Sequence, residues 1–207
     1  MSKKPAEQAI VIAAPKIHTA EFTIRGTAPY VQLRFGEKAM NAMADKMAAG
    51  SQATKKKVRE PRDFDEDFRQ AMHVSDEGWC GIPAGAFRNA MVSACRLVGF
   101  KMTIAKLSVF VEADGLDRVD GVPLIRIDGT PEPLRQHVRN ATGVCDLRVR
   151  AMFRDWSAKV RVSYDADQFS QSDVANLMMR VGRQVGIGEG RPDSKASVGM
   201  GWGTFSI

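Results

Sequence analysis

The sequence predicts an α+β domain: a ferredoxin-like or RRM-like antiparallel sheet with helices on one face, extra strands and a basic loop insertion. Three observations carry this. Segments at 16–25, 146–153 and 158–164 alternate with period two, as half-buried strands do. Two segments, 83–98 and 170–185, repeat apolar residues at helical spacing. Strands and helices follow one another without regular βαβ alternation, which favours antiparallel pairing.

The chain has 207 residues, suited to one domain, and 44% hydrophobic residues, enough for a core. Residues 1–15 read as a flexible arm ending at Pro15, and 16–207 as a single domain. In the first strand Ile17, Thr19, Glu21, Thr23 and Arg25 fall on one side, and His18, Ala20, Phe22 and Ile24 on the other. Gly26 to Pro29 breaks it, and Tyr30 to Phe35 continues extended. Gly36 to Ala49, rich in Ala, Met, Lys and Glu, predicts a helix.

Residues 50–76 read as an insertion that opens with a mobile basic loop. It carries Lys55, Lys56, Lys57 and Arg59. Asp63 is an N-cap candidate for a short helix to Met72, with Glu66 completing a capping-box pattern. Gly78 to Ile82 reads as a short strand. Pro83 then opens a helix with Phe87, Met91, Ala94, Cys95 and Val98 on one face, and with Arg88, Asn89, Ser93 and Arg96 off it. Gly99 stops it.

Leu107 to Ala113 and Val122 to Ile127 read as strands, while Leu134 to Asn140 fits no single state. Asp146 to Phe153 and Ala158 to Tyr164, joined by Arg154–Asp155–Trp156–Ser157, read as a hairpin. Ser170 caps a helix whose stripe is Val174, Leu177, Met178, Val181 and Val185. A glycine-rich stretch and a short strand from Thr204 to Ile207 end the chain.

The formal net charge is +6, and a basic surplus favours polyanionic partners through counterion release. Cys80, Cys95 and Cys145 are odd in number and widely spaced, which suggests neither a disulfide framework nor a zinc site. The apolar patch Ala9 to Ala14 is too short to cross a membrane and weak as a secretory signal. The expectation is a cytoplasmic protein in a reducing compartment, with no membrane partner.

Six glycines fall between Gly186 and Gly203, with Gly188 near the start. Glycine admits positive φ and close approach, so such a loop can present amides to phosphates. Arg191, Lys195 and Trp202 add charge and a stacking surface. The stretch follows a helix and leads to a strand, the reverse of a dinucleotide-binding turn, and no Gly-Lys-Ser/Thr follows. The bland alternative is a loop that closes the sheet. On the expected hairpin, period two puts Arg148 and Arg150, and likewise Lys159 and Arg161, on one solvated face. Acidic neighbours from elsewhere would make that face ordinary. The run from Lys55 to Arg59 is either a clamp on a polyanion or a solvated loop.

No catalytic residue is expected. His18, His73 and His137 are scattered, without metal spacing or a nucleophile elbow. Asp63, Asp65, Glu66 and Asp67 suit a helix start, so no metal and no cofactor is expected.

Three segments resemble one family. Ile82-Pro83-Ala84-Gly85-Ala86-Phe87-Arg88-Asn89-Ala90 resembles the helix start of the RAMP superfamily, the RRM-like proteins of CRISPR effector complexes. Gly186 to Phe205 resembles its glycine-rich loop, and Ile24 to Tyr30 its first strand and following turn. The nearest branch is the CRISPR-RNA-binding backbone subunit; the whole chain is also similar to uncharacterised phage and prophage proteins. The resemblance implies a non-catalytic protein that coats single-stranded, guide-like RNA as a homo-oligomer or filament, alone or with other effector subunits. It implies RNA-backbone contacts for Arg88 and Arg191, and a thumb around Lys55 to Arg59. Two alternatives stay open. One is a phage single-stranded DNA-binding or annealing protein. The other is an endoribonuclease using an unpaired histidine such as His18 as general base.

Overall fold

The computed structural model describes residues 12–50, 61–139, 143–195 and 199–207. It is an α+β protein whose sheets are antiparallel throughout the described pairings. Strand β1 (Ile17–Gly26) is central to the larger sheet. It pairs on one edge with β10 (Phe205–Ser206) and along nine registered residues, Ile17↔Asp165 to Arg25↔Ser157, with β9 (Ser157–Asp165). The far edge of β9 is shared. Its end near Tyr164 takes β4 (Val109–Val111), and its start at Ser157 takes β6 (Pro123–Asp128). β6 also pairs β3 (Gly81–Pro83) and β5 (Gly115–Leu116). A second sheet runs β2 (Tyr30–Gln32), β8 (Cys145–Phe153), β7 (Pro131–Arg139).

The alternation of β1 reaches the structure intact: Ala20, Phe22 and Ile24 are buried and the opposite face is exposed. Helices α3 (Ala84–Ala94) and α5 (Gln171–Arg180) supply the other side of that core. Phe87, Met91, Ala94 and Cys95 are buried, as their spacing predicts, but Val98 is half exposed on a 3-10 turn that ends at left-handed Gly99. Ser170 caps α5 with the full reciprocal box to Asp173, and all five residues of its stripe are buried. The last two, Val181 and Val185, lie in a π-helical turn after the helix. Helix α1 (Glu37–Ala49) and short α2 (Phe64–Gln70) complete the first half. Asp63 does cap α2, through the Asp65 and Glu66 amides, but Glu66 turns to Arg69 and Gln70, so the box is not closed. The end of the expected insertion is built into the domain: Ala71 belongs to the core, and Phe68 and Met72 pack against it.

Two expectations fail. β8 and β9 are not a hairpin: β8 pairs β2 and β7, β9 pairs β1, β4 and β6, and the short link between them crosses from one sheet to the other. Residues 107 and 108, expected to open a strand, end helix α4 (Met102–Ser108). The undecided stretch near Leu134 is strand β7, paired residue for residue with β8.

Trp156 pins the crossing. It is buried, its Nε1 donates to the Ala28 carbonyl at 2.9 Å, and its carbonyl accepts from the Gly26 amide at 2.8 Å. A Cβ on Gly26 would stand 2.2 Å from the indole, so only glycine fits there. Phe205 packs edge-on to Trp156 and to Phe87, with centroids 6.1 and 6.0 Å away. Phe205→Ala should therefore destabilise the protein by about 3–5 kcal/mol, read as a lower denaturation midpoint at unchanged m-value.

Candidate functional site

The glycine-rich segment after α5 folds back over the molecule rather than standing free. The Gly186 amide donates to Val181 and closes the helical turn; Ile187 donates to Gly203, Glu189 to Val31, Met200 to Gly190 and Gly203 to Pro29, all at 2.7–3.0 Å. Each of these amides is consumed by a backbone carbonyl. Two glycines are obligatory for this packing. Gly203 has φ +69°, and a Cβ there would lie 1.8 Å from the Ile187 oxygen; Gly188 has φ +75°, and a Cβ would meet Val31 and the Tyr30 ring. The loop thus closes the free edge of β2, and its outer side forms one wall of a cleft.

That cleft has a volume of about 740 Å³. The opposite wall is α3, through Asn89 and Ser93, with Arg96 on the 3-10 turn after it; the floor includes Tyr30, Gln32 and His73, and Lys106 of α4 and Lys195 also line the cleft. Tyr30 is fully buried, donates to Gln32 Oε1 at 3.2 Å, and has its phenol pushed far above the usual range, first by burial and then by the nearby Glu189 charge. It stays neutral.

A latch ties the loop to α3. Asp193 accepts from Ser93 Oγ, and from Arg96 Nη2 at 2.7 and 2.9 Å. The Ser93 hydroxyl, followed by Arg96, holds its carboxyl below the ordinary carboxylate range. Asp193 neutralises Arg96. Arg191 donates to the Gly188 carbonyl at 3.0 Å. Among the described residues, Arg191, Lys106 and Lys195 have no carboxylate within 4.0 Å. The cleft margin therefore carries three cations without ion-pair partners among those residues.

The structure brings Gly188, Arg191 and Lys195 together on this cleft. Trp202 is half-buried against Gly190, on which a Cβ would stand 2.6 Å from its ring. Arg88 lies elsewhere. It donates to the Val109 carbonyl at 3.0 Å and to Lys106, and sits over the Phe110 ring, so it joins α3 to the turn between α4 and β4. The four remaining strand cations are split between the sheets. Lys159 faces Glu21 at 3.8 Å, and Arg161 is paired with Glu112 at 3.2 Å and Asp114 at 2.9 Å. Arg148 lies 3.7 Å from Asp146. Arg150, expected on a solvated face, is buried, because β8 is covered on both sides from Val149 to Phe153; its guanidinium meets Gln136 and, at 3.5 Å, Glu189. Lys55, Lys56, Lys57 and Arg59 lie outside the described residues.

One pairing escapes the sequence pattern. His73 Nδ1 lies 2.8 Å from Asp117 Oδ2, across 44 positions of chain. Asp117 is almost fully buried; burial alone pushes its carboxyl up, but the Val119 amide, His73 and the Asp120 amide together bring it below the ordinary range. His18 instead packs edge-on to Tyr164. With Asp120 nearby, the three ligand atoms lie within 4.8 Å of one another. The walls and floor of the cleft come from separate segments of the chain, so only the polar positions of α3 and the loop stand out in the sequence.

No protein-family model matches the chain, and no curated protein matches it.

The latch generates a prediction. A carboxyl depressed in the folded state stabilises above its unfolded pKa, near 3.9, and loses that contribution as pH falls below it. Asp193→Asn should weaken the loop by about 1 kcal/mol at pH 7, allowing for partial exposure. Hydrogen exchange of residues 186–195 reads this, and wild type and variant should converge once the pH has fallen through the depressed range of the folded-state carboxyl, below the ordinary carboxylate value.

Proposed function

We propose that this chain binds a single strand of nucleic acid along the cleft between α3 and the glycine-rich loop, with RNA as the natural strand. The carrying observation is the trio Lys106, Arg191 and Lys195 on one cleft, without ion-pair partners among the described residues, while the two carboxylates that line the same cleft, Glu189 and Asp193, face Arg150 and Arg96. Cations in that state gain most from a phosphate, because no internal pair has to be broken. The floor can meet sugars or bases, which carry no net charge.

The fold adds support. An antiparallel sheet with helices α3 and α5 packed into its core is compatible with the ferredoxin-like, RRM-like architecture that the RAMP resemblance of the segments at 82–90 and 186–205 implies. In this reading several copies coat one strand. The open face of the larger sheet is the less favourable surface: its cations Lys159 and Arg161 are matched by Glu21, Glu112 and Asp114.

Fluorescence anisotropy with a labelled oligonucleotide of about 20 residues, over a range of salt, tests the reading. The variant Lys106→Glu, Arg191→Glu, Lys195→Glu should bind all sequences at least about tenfold more weakly. Its log K against log salt slope should become shallower by roughly 0.7 for each phosphate that is no longer neutralised. Lys159→Glu should bind like wild type. Salt-independent binding, or a folded triple variant with unchanged affinity, refutes the cleft. Competition between matched RNA and DNA decides between the RNA reading and a single-stranded DNA-binding one.

A further inference from the structure

His73, Asp117 and Asp120 stand on two segments that the backbone already holds together. His73 follows α2. Its carbonyl accepts from the Gly81 amide, and the Val74 carbonyl accepts from the Arg118 amide, both at 3.0 Å. Asp117 and Asp120 lie in the turn from β5 to β6. The Asp117 amide donates to Val122 at 2.8 Å and the Gly121 amide to Asp117 at 2.9 Å, which closes that turn. A further bridge pairs Ser75 with Asp117. The three side chains are therefore brought together by main-chain bonds rather than by one another.

Asp117 is the unusual member. Its side chain is 1% exposed. Oδ1 accepts from the Val119 amide at 2.9 Å and the Asp120 amide at 3.5 Å, and Oδ2 lies 2.8 Å from His73 Nδ1. Among the described residues no lysine or arginine nitrogen comes within 4.0 Å of this carboxylate. Buried carboxylates are paired with a cation or ligate a metal. The one counter-charge on offer here is an imidazole, which is charged only when protonated. Asp120 adds a second carboxylate to the same spot. Its Oδ1 accepts from the Val122 amide at 3.1 Å, and its other oxygen makes no hydrogen bond among the described residues.

We propose that His73, Asp117 and Asp120 are three ligands of a divalent first-row transition ion of the zinc type, with water completing its shell, and that the ion staples the segment after α2 to the turn from β5 to β6. One ring nitrogen and two carboxylate oxygens suit zinc, cobalt or manganese; magnesium and calcium favour oxygen alone. Bonds of about 2.0–2.2 Å space the ligands of such an ion about 3.0–3.6 Å apart. Here the ring nitrogen and the nearer carboxylate stand at 2.8 Å, and all three ligand atoms lie within 4.8 Å of one another, so small side-chain rotations bring them onto one ion. Asp117 is the buried anchor. Asp120 is exposed and His73 lines the cleft, so the ion enters from solvent. Once bound, it gives the buried carboxylate a permanent cation. The staple is structural, and it forms whether or not a strand occupies the cleft.

The test uses the full chain, without an affinity tag, stripped with EDTA and desalted. Calorimetric titration with zinc chloride should show one equivalent bound. At free zinc about a hundredfold above Kd, the melting temperature should rise by about 5–10 °C, and the same concentration of magnesium should leave it unchanged. Asp120→Asn, at an exposed position, and His73→Gln should each bind zinc at least about a hundredfold more weakly. Cys145→Ser, which removes an exposed thiol that could take zinc by itself, should bind like wild type. A measurement on wild type alone guards against variants that fail to fold. With ¹⁵N-labelled histidine, zinc should move the ring nitrogen signals of His73 and leave those of His18 and His137 in place. The inference is overturned if zinc does not bind, if magnesium stabilises equally, if Asp120→Asn and His73→Gln keep the wild-type affinity, if Cys145→Ser abolishes binding, or if the His73 ring signals stay where they are.

Discussion

The fold turns on Trp156. Two sheets in one chain need a place where the backbone leaves one and enters the other, and a crossing exposes peptide groups that ladders would otherwise satisfy. Here a single buried residue resolves it. Its indole N–H donates to the carbonyl of Ala28 and its own carbonyl accepts from the amide of Gly26, so both sides of the first turn are tied to the link between β8 and β9. Its ring fills the space between Tyr30 of the smaller sheet and Phe205 of the larger, with centroids 5.7 and 6.1 Å away. Loss of an indole so placed costs on the order of 3–5 kcal/mol, a large fraction of a domain's net stability.

From that pin the cleft follows. The turn at Gly26 to Pro29 presents the Pro29 carbonyl to Gly203 and the edge of β2 to the Glu189 amide. The C-terminal loop is thereby stitched to the first turn, and Asp193 reaches across to Ser93 on α3 and to Arg96 on the 3-10 turn after it. Both walls are held by short, specific bonds. Such a groove is preorganised, and a strand entering it has little protein to order.

What was legible in the sequence is what local pattern decides. β1 alternates because one face meets the helices and the other is exposed, and α5 has an apolar stripe and a cap at its start. α4 was hidden because seven residues with Thr103 and Ile104 among them look as much like strand as helix. The apparent hairpin arose because two alternating segments so close in sequence are usually partners. Nothing in Arg154 to Ser157 announces that Trp156 will send them into different sheets. The Arg148 and Arg150 alternation misled for a related reason: β8 lies under cover on both faces over its second half, so period two no longer separates inside from outside. The glycine-rich loop was visible, but its amides serve the loop's own closure. The His73–Asp117 pair was invisible, since the two residues meet only because the segment after α2 bridges to the chain around Cys80 and Asp117.

A charge's neighbours, more than its presence, determine what it can bind. Arg161 is the most strongly matched cation of the sheet face, with two carboxylates and a guanidinium held further in its charged form first by Asp114 and then by Glu112. A phosphate there would have to displace both acids and leave them facing it. Arg150 is worse placed, since it is buried against Gln136 and Glu189. Lys106 and Lys195 are exposed, and Arg191 spends one donor on a neutral carbonyl. For these three, an incoming phosphate has no described ion pair to break, though Arg191 already feels the charge of Asp193, and the counterions that binding releases are a favourable term. By that criterion the basic surplus of the chain is not spread evenly over candidate surfaces. Among the candidate cations that the structure describes, Lys106, Arg191 and Lys195 share one groove, between the loop and α3, without an ion pair.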